Sequence, residues 1–196
     1  MKKLLHRRDV MAQLLRDRGE LLVIGSLSSV SDITSMGDHD LNFPMWGAMG
    51  GGAMVGLGLA LAQPKRKTLV VTGDGEMLMG IGALATIAIM KPKNLYLVVL
   101  DNEHYGETGM QEGHTGYGVD LAGMAQAAGF KHALNIDDQA GVSKLRKMIY
   151  KGEGCLFAQV KIVAERMPMV LPPRDGSYIK NRFRIAVLGP NAVYDE

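Results

Sequence analysis

Two side chains that can supply oxygen ligands, Asp74 and Asn102, stand at the two ends of a largely apolar stretch of sequence. Asp74 lies between Gly73 and Gly75, which let the backbone turn sharply and let a ligand approach closely. Carboxylate and amide oxygens are both hard ligands of the kind that Mg²⁺ takes in proteins. The pair would therefore suit a divalent cation, provided that the intervening chain brings the two side chains together.

The backbone just after Asp74 adds a second chemical property, an affinity for phosphate. A helix is predicted to begin here, and the unpaired amide groups of its first turn, from Glu76 and Met77 onward, favour an anion. A carboxylate beside a phosphate repels it unless a cation lies between them. These features indicate a clamp for a divalent cation and a diphosphate. The alternative is a Gly-Asp-Gly turn with Asn102 capping a strand end, and the residues alone leave both open.

The elements that must position these groups are short apolar strands that alternate with helices. The predicted strands, which are continuous apolar runs rich in β-branched residues, are 21–25, 68–72, 95–100 and 155–163. The predicted helices are 4–18, 50–62, 76–90, 120–128 and 138–150. This alternation predicts an α/β fold, a doubly wound and mostly parallel sheet with helices on both faces. Ligands of such sheets bind beyond the carboxyl ends of the strands, where Asp74 and Asn102 would emerge side by side.

One domain is predicted over residues 1–164, followed by an extended tail over 165–196 that packs on the domain or on a partner. The loop at 103–118 is rich in glycine, and loops of this length are usually functional or disordered. The tail contains four prolines and a basic cluster formed by Arg174, Lys180, Arg182 and Arg184. This cluster could steer an anionic substrate, bind a partner subunit or form an ordinary solvated surface.

Composition argues against several classes of protein. The 196 residues are 47% hydrophobic and 21% charged, and the net charge of +2 gives no reason to expect nucleic-acid binding. The uncharged segment at 41–63 contains Pro44 and six glycines, so a membrane span is not expected. The single cysteine, Cys155, allows no disulfide within the chain and fits a cytoplasmic location.

The motif GDG, followed by 26 residues and Asn, resembles the diphosphate-binding motif of thiamine diphosphate enzymes. The His-Tyr-Gly that comes shortly after resembles the usual extension of that motif, and the resemblance implies thiamine diphosphate and Mg²⁺ as cofactors. It implies that the side chains of Asp74 and Asn102 and the backbone carbonyl of His104 hold the metal. Tyr105 and Gly106 would lie beside the cofactor. Many members have asparagine just before the ligand asparagine, where this chain has aspartate, but the ligand position itself is kept.

A second segment, WGAMGGGAMVGLGLALAQP at 46–64, resembles the part of the decarboxylase and acetolactate synthase branches that holds the aminopyrimidine ring. The resemblance implies that the Gly47 carbonyl accepts from the amino group of the ring and that the Met49 amide meets a ring nitrogen. It also implies that the Met49 side chain wedges between the two rings and keeps the cofactor bent. The residue types also allow a structural role, in which Gly52 and Gly56 let a helix pack closely on its neighbour.

Three longer segments narrow the resemblance to the phosphonopyruvate and sulfopyruvate decarboxylases. They are GDHDLNFPMWGAMG at 37–50, DNEHYGETGMQ at 101–111 and PPRDGSYIKNRFR at 172–184. The resemblance implies a carboxy-lyase that removes CO₂ from a small anionic 2-oxoacid without oxidation and releases an aldehyde. An acetolactate synthase-like carboligase uses the same cofactor clamp and stays the alternative.

Thiamine diphosphate enzymes also need a pyrimidine-binding domain that supplies an activating glutamate, and no such domain is recognisable in this chain. The resemblance therefore implies the cofactor-binding subunit of a hetero-oligomer, and the glycine-rich helix also allows homodimeric contacts. A non-catalytic cofactor-binding or regulatory subunit is the alternative from another class. The β subunit of a 2-oxoacid:ferredoxin oxidoreductase is a further alternative, but those subunits commonly hold iron–sulfur clusters through cysteines, and this chain has one cysteine.

Three histidines are candidates for proton transfer or for binding the substrate carboxylate, namely His39, His104 and His114. His39 precedes the segment that resembles an aminopyrimidine site, and the other two lie in the loop at 103–118. Gln111 and Thr115 are further candidates for contacts with the substrate. Each of these side chains could instead be an ordinary surface residue.

Overall fold

Four strands of the central sheet form from the apolar runs that the sequence predicts as strands. The computed structural model describes residues 5–152 and 154–194. The four strands are β1 (Leu22–Gly25), β3 (Thr68–Gly73), β4 (Leu95–Asp101) and β8 (Leu156–Lys161). All their residues are buried except the last residue of β8, which is half-buried. This is the pattern expected of parallel strands that lie between two layers of helices.

Two further strands, β2 (Asn42–Pro44) and β7 (His132–Ile136), form the edges of the sheet and are not predicted from the sequence. They are largely half-buried, so they lack the continuous apolar run that marks a central strand. All six strands are parallel, in the order β2-β1-β3-β4-β8-β7. The predicted α/β fold with a doubly wound, mostly parallel sheet is confirmed. A separate hairpin, β5 (His104–Tyr105) with β6 (Gln111–Glu112), lies in the loop after β4.

Helices cover both faces of the sheet, as predicted. One face carries α1 (Arg7–Leu15), α2 (Leu27–Thr34) and α7 (Gln139–Lys151). The other face carries α3 (Gly52–Ala62), α4 (Asp74–Met79), α5 (Ala83–Met90) and α6 (Leu121–Ala128). Each set encloses its own apolar core against the sheet. Within the described residues, no helix is both long enough and apolar enough to cross a bilayer.

The single helix predicted over 76–90 is in fact two helices, α4 and α5, which separate at Gly80. The backbone of Gly50 passes so close that a Cβ atom on Gly80 would lie 2.1 Å from the Gly50 carbonyl oxygen. Gly50 itself has a φ of +83°, a conformation that favours glycine. The break between the two helices thus makes room for the segment that precedes α3.

Helix α3 packs on the sheet through two of its glycines. A Cβ atom on Gly56 would lie 2.2 Å from Val70 Cγ2, and one on Gly52 would lie 2.3 Å from Ser26 Oγ. The prediction that these glycines allow close packing is confirmed. Because Ser26 follows β1, the Gly52 contact fixes the start of α3 beside the carboxyl end of that strand, while the Gly56 contact sets the helix against the middle of β3.

The segment after residue 164 is predicted to be extended, and this is wrong over Gly176–Leu188, which forms helix α8. Residues 164–175 form no helix or strand, as predicted. The four prolines of the segment all lie outside α8, at Pro168, Pro172, Pro173 and Pro190. Nothing therefore interrupts the helix, and the Asp175 side chain caps it by accepting from the Tyr178 amide at 2.8 Å.

Phe183 anchors α8 to the edge of the sheet. Its side chain packs against Leu22 and Leu41, and its ring centroid lies 5.3 Å from that of Phe43. Replacing Phe183 with alanine should lower the free energy of unfolding by about 2–3 kcal/mol, less than at a fully enclosed site because the contact lies at an edge. Urea unfolding measures this loss.

The matched control is Tyr194→Ala, because Tyr194 is 85% exposed. The control should change the free energy of unfolding by less than about 0.5 kcal/mol. A Phe183→Ala chain as stable as this control would show that α8 does not rest on β2 in solution.

Candidate functional site

Asp74 and Asn102 emerge at the carboxyl edge of the sheet from two adjacent strands. Strands β3 and β4 pair in parallel, with Gly73 opposite Leu100, so each of the two residues lies just beyond its strand. The two helices between these strands return the chain to the neighbouring position, as the sequence spacing predicts. Both residues line one cavity of about 180 Å³.

Most of the residues predicted to contact a cofactor line this cavity. Those that do are Met49, Gly73, Asp74, Gly75, Glu76, Asn102, Tyr105 and Gly106, together with His104. Gly47 and Met77 do not line it. The side chain of Met77 is buried in the core between the sheet and its helices, so only its backbone is available to a ligand.

Asp74 is buried at the floor of the cavity, where its carboxylate meets a hydroxyl and a second acid. Thr115 Oγ1 lies 2.9 Å from Asp74 Oδ2 and 2.7 Å from Asp101 Oδ1. Burial raises the pKa of the Asp74 carboxyl, the charge of Asp101 raises it further, and the hydrogen bond from Thr115 opposes both. A divalent cation beside Asp74 would favour the ionised form.

Thr115 is therefore not a substrate contact, and that prediction is wrong. Its side chain is 3% exposed and lies beneath the cavity. A single hydroxyl proton serves one carboxylate at a time, so Asp74 and Asp101 share one donor.

Asp101, the aspartate where many thiamine diphosphate enzymes have asparagine, is fully buried and paired with a lysine. Its Oδ2 accepts from Lys161 Nζ at 2.8 Å and from Gln159 Nε2 at 2.6 Å. Lys161 also binds Glu103 Oε1 at 2.6 Å. Burial acts to lower the pKa of Lys161, but the hydrogen bonds and charges of Asp101 and Glu103 outweigh it and raise the pKa. The sequence pattern gives no sign of this network, because Lys161 lies 60 positions from Asp101.

His104 is tied to Asn102 by two hydrogen bonds. Its amide donates to Asn102 Oδ1 at 3.1 Å, and its Nδ1 lies 2.9 Å from the Asn102 carbonyl oxygen. A carbonyl can only accept, so Nδ1 carries the proton and Nε2 is the basic nitrogen of the neutral ring. The His104 carbonyl accepts from the Gly106 amide at 3.2 Å and keeps a second lone pair for a metal.

Tyr105 lies over Gly75 and links the cavity to His114. A Cβ atom on Gly75 would lie 2.7 Å from Tyr105 Cε1, so only glycine leaves room for the ring at this position. The Tyr105 hydroxyl lies 2.7 Å from His114 Nδ1. His114 is exposed and does not line the cavity, so its contact with the site runs through Tyr105.

The loop at 103–118 folds over the cavity as the β5–β6 hairpin and a 3-10 helix, His114–Tyr117. Four positions have positive φ, namely Glu103 (62°), Gly109 (127°), Met110 (65°) and Gly118 (93°). Gln111 is exposed on β6, where its side-chain Nε2 donates to the Thr108 carbonyl at 3.0 Å. The loop is therefore structured by its own turns.

The carboxylate of Glu76 is turned away from the cavity and holds the start of α2. It accepts from the amide of Leu27 at 3.1 Å, the amide of Ser28 at 3.3 Å and the Ser28 hydroxyl at 2.7 Å. It also accepts from the Gly73 amide at 3.3 Å. Only the backbone of Glu76 is available to a ligand, and its side chain fixes α2 beside the end of β3.

His39 lies at the amino ends of the strands, on the side of the sheet opposite the cavity. This position corrects its prediction as a catalytic residue of this site. It precedes β2, so it stands at the amino ends of the strands, where its Nδ1 accepts from the Leu41 amide at 3.0 Å. Its neighbour Asp38 pairs with Arg182 of α8. The Arg182 side chain of the basic tail is thus engaged in fixing α8 rather than facing the cavity.

A metal at this cavity would depend on ligand oxygens from outside the chain. Across residues 5–152 and 154–194, no three His, Cys, Asp or Glu side chains are grouped to hold a metal. Asp74, Asn102 and the His104 carbonyl include one carboxylate, which suits a cation that also takes oxygens from a diphosphate and from water.

Comparison with protein families gives one match over most of the chain. Residues 25–160 match the family described as thiamine pyrophosphate enzyme, C-terminal TPP binding domain. This range contains the central sheet except residues 22–24 of β1 and the last residue of β8, and also the loop that covers the cavity.

Comparisons with individual proteins agree with this family match. The chain is 39% identical over 146 residues to the sulfopyruvate decarboxylase subunit beta of Methanocaldococcus jannaschii, covering 66% of this chain and 77% of that one. It is 41% identical over 132 residues to the phosphonopyruvate decarboxylase of Streptomyces viridochromogenes, covering 66% of this chain and 32% of that one. Benzoylformate decarboxylase from Polynucleobacter necessarius shares the fold, with a TM-score of 0.68 at 17% identity over 84% of this chain and 34% of that one.

Proposed function

Because the chain belongs to the thiamine pyrophosphate enzymes, as a C-terminal TPP-binding domain, we propose that it is the cofactor-binding subunit of a Mg²⁺-dependent 2-oxoacid decarboxylase. The reaction is that of a carboxy-lyase, which releases CO₂ and an aldehyde without oxidation. The substrate is a small 2-oxoacid with an anionic head, of the sulfopyruvate or phosphonopyruvate type that the names of two relatives give.

The observation that carries this proposal is the convergence of Asp74, Asn102 and His104 on one cavity at the carboxyl edge of the sheet. The two side-chain oxygens and the His104 carbonyl would hold Mg²⁺, and the diphosphate and water would supply its remaining ligands. The absence of a side chain at Gly75 lets the Tyr105 ring lie over the turn that contains Asp74.

The other predicted contacts are consistent with a bound thiamine diphosphate. The backbone from Gly73 to Met77 would receive the diphosphate, and Gly47 and Met49 would meet the aminopyrimidine. Both residues are exposed, and Met49 lines the cavity. When bound, the cofactor supplies an electron sink for the electron pair that CO₂ leaves behind.

Among the described residues that line the cavity, His104 is the one best placed to move a proton. Its Nδ1 proton is held by the Asn102 carbonyl, so Nε2 is the atom that accepts or returns a proton. His114 acts as a positioning residue, because its Nδ1 contacts the Tyr105 hydroxyl and keeps that ring over Gly75.

A separate pyrimidine-binding subunit supplies the activating glutamate. The chain spans 77% of a relative that is itself named a subunit, but only 32% of the phosphonopyruvate decarboxylase chain. Met49, 39% exposed, lies at the open mouth that such a subunit would cover. The single cysteine, Cys155, suits an enzyme of the reducing cytoplasm.

The decisive experiment is co-purification with the product of the neighbouring gene, followed by a panel of 2-oxoacids with thiamine diphosphate and Mg²⁺. The complex should release CO₂ and an aldehyde from an anionic 2-oxoacid, whereas the chain alone should be inactive. Product analysis with an acceptor aldehyde separates decarboxylation from carboligation.

Three results would overturn parts of the proposal. Full activity of the chain alone would refute the separate subunit. Cofactor binding without turnover of any 2-oxoacid by the complex would indicate a regulatory subunit. A ligated product as the main product would favour the carboligase alternative.

A further inference from the structure

The first residue of α1, Arg7, reaches across to α2 and lines the cavity that contains Asp74. Its Nε donates to Asp32 Oδ2 at 2.7 Å, and its Nη2 donates to the Ser28 carbonyl. These bonds fix the plane of the guanidinium. The hydrogen bonds of Arg7 within the described residues use Nε and Nη2, so the Nη1 edge of the group is left for a ligand.

Ser28 places this guanidinium next to the diphosphate end of the cavity. The Ser28 hydroxyl donates to Glu76 at 2.7 Å, and a Cβ atom on Gly73 would lie 2.8 Å from that hydroxyl oxygen. Ser28 therefore lies between Arg7 and Gly73, the residue just before Asp74.

The acidic residues of the cavity favour a positively charged group beside the phosphate. Two acidic side chains, those of Asp74 and Glu107, line the cavity, and the carboxylate of Glu76 lies behind its wall. Among the described residues of the lining, Arg7 is the one with a permanent positive charge. A Mg²⁺ ion at Asp74 and Asn102 would offset part of the charge of a diphosphate, but a terminal phosphate still brings negative charge to an acidic cavity.

The pair with Asp32 does not cancel the charge of Arg7. Asp32 is buried and has a second basic neighbour, because Arg8 Nε lies 3.6 Å from its Oδ1. Two guanidinium groups and one carboxylate leave a net charge of at least +1. Asp32 thus orients Arg7, and the cluster stays positive.

We infer that Arg7 binds the terminal phosphate of thiamine diphosphate through the free edge of its guanidinium, an inference that rests on the function proposed above. Arginine presents N–H groups in a planar fork that matches phosphate oxygens, which makes it a stronger partner than lysine at such a position. The sequence alone gives no signal of this role, because Arg7 belongs to a basic stretch that precedes every cofactor motif.

The test compares thiamine diphosphate with thiamine monophosphate, each with Mg²⁺, by calorimetric titration of the chain in complex with its partner subunit. Arg7→Met should weaken binding of the diphosphate by about 10- to 100-fold, the effect of losing a hydrogen bond to a charged group. Binding of the monophosphate should change much less, so the preference for the diphosphate should fall. Arg7→Lys keeps the charge and should restore part of that preference.

The matched control is Arg8→Met. Arg8 neighbours Arg7 on α1 and also approaches Asp32, but it does not line the cavity. The control should leave the preference for the diphosphate unchanged, which separates phosphate binding from support of Asp32.

An unchanged preference in Arg7→Met would overturn the inference and leave Arg7 as a structural partner of Asp32. Should Arg7→Met fail to fold, Arg7→Lys decides, and a preference equal to that of the unaltered protein would overturn it as well. Failure of the unaltered complex to bind thiamine diphosphate would refute the proposed function itself, and this inference with it.

Discussion

Replacing Asp74 with alanine should reduce the decarboxylase activity of the complex by about 1,000-fold or more. The proposed site has one carboxylate ligand, and loss of metal-assisted charge stabilisation is worth several kcal/mol. Addition of thiamine diphosphate and Mg²⁺ should raise the melting temperature of the unaltered complex and leave that of the variant unchanged.

The control for folding is Asp74→Asn, which keeps the shape of the side chain. Burial raises the pKa of Asp74 in the folded chain, so the ionised carboxylate lowers stability at neutral pH in the absence of a cation. Without cofactor, the asparagine variant should therefore unfold at the same urea concentration as the unaltered chain or at a higher one. Activity of Asp74→Ala within about tenfold of the unaltered complex would refute the metal assignment.

The second large effect is expected at Lys161, whose loss leaves Asp101 buried without its cation. Lys161→Met should lower the free energy of unfolding by about 2–3 kcal/mol, somewhat less than for a fully buried pair because Lys161 is one-third exposed. Urea unfolding measures the loss. The exposed Lys147 of α7 provides a matched control, and Lys147→Met should change the free energy by less than about 0.5 kcal/mol.

The double variant Asp101→Asn/Lys161→Met tests the cause of this loss. It removes both charges and gives the chain the paired asparagines found in many thiamine diphosphate enzymes. Stability should return to within about 1 kcal/mol of the unaltered chain, because no unpaired charge remains in the interior. A double variant as unstable as Lys161→Met would show that the aliphatic stem of Lys161, rather than its charge, supports the site.

The central strands and the position of the cavity can be predicted from the sequence because both depend on local patterns. Runs such as Leu95–Asp101 are buried on both faces and show continuous apolar character. The parallel connection then requires Asp74 and Asn102 to emerge together at one edge. Element bounds follow to within a few residues for helices such as α6 and α7.

The remaining features depend on contacts between distant residues. The break between α4 and α5 at Gly80 depends on the close approach of Gly50. Helix α8 is stabilised by the packing of Phe183 against Leu22 and Leu41. Likewise, the position of Thr115 beneath Asp74 is set by the fold of a loop that has no apolar period. No pattern within one segment reports such tertiary contacts.

The positions of two histidines differ in the same way in how far local sequence predicts them. His104 follows a strand end and lies in the cavity, as its sequence position indicates. His39 is only a few residues before the segment of Met49, yet β2 lies between them and takes the chain from the amino ends of the strands to the carboxyl ends. Proximity in sequence is thus a poor guide across a strand.

The buried carboxylate of Glu76 has a consequence for the time at which the protein becomes able to bind its ligand. Its partners Leu27 and Ser28 lie 49 and 48 residues earlier in the chain, so the first turn of α2 lacks its cap until β3 and α4 have docked. Such non-local pairing is slow, because a long loop must close before the contact forms. A chain emerging from the ribosome therefore has no cofactor cleft until more than a third of it has been made, and the covering loop follows later still.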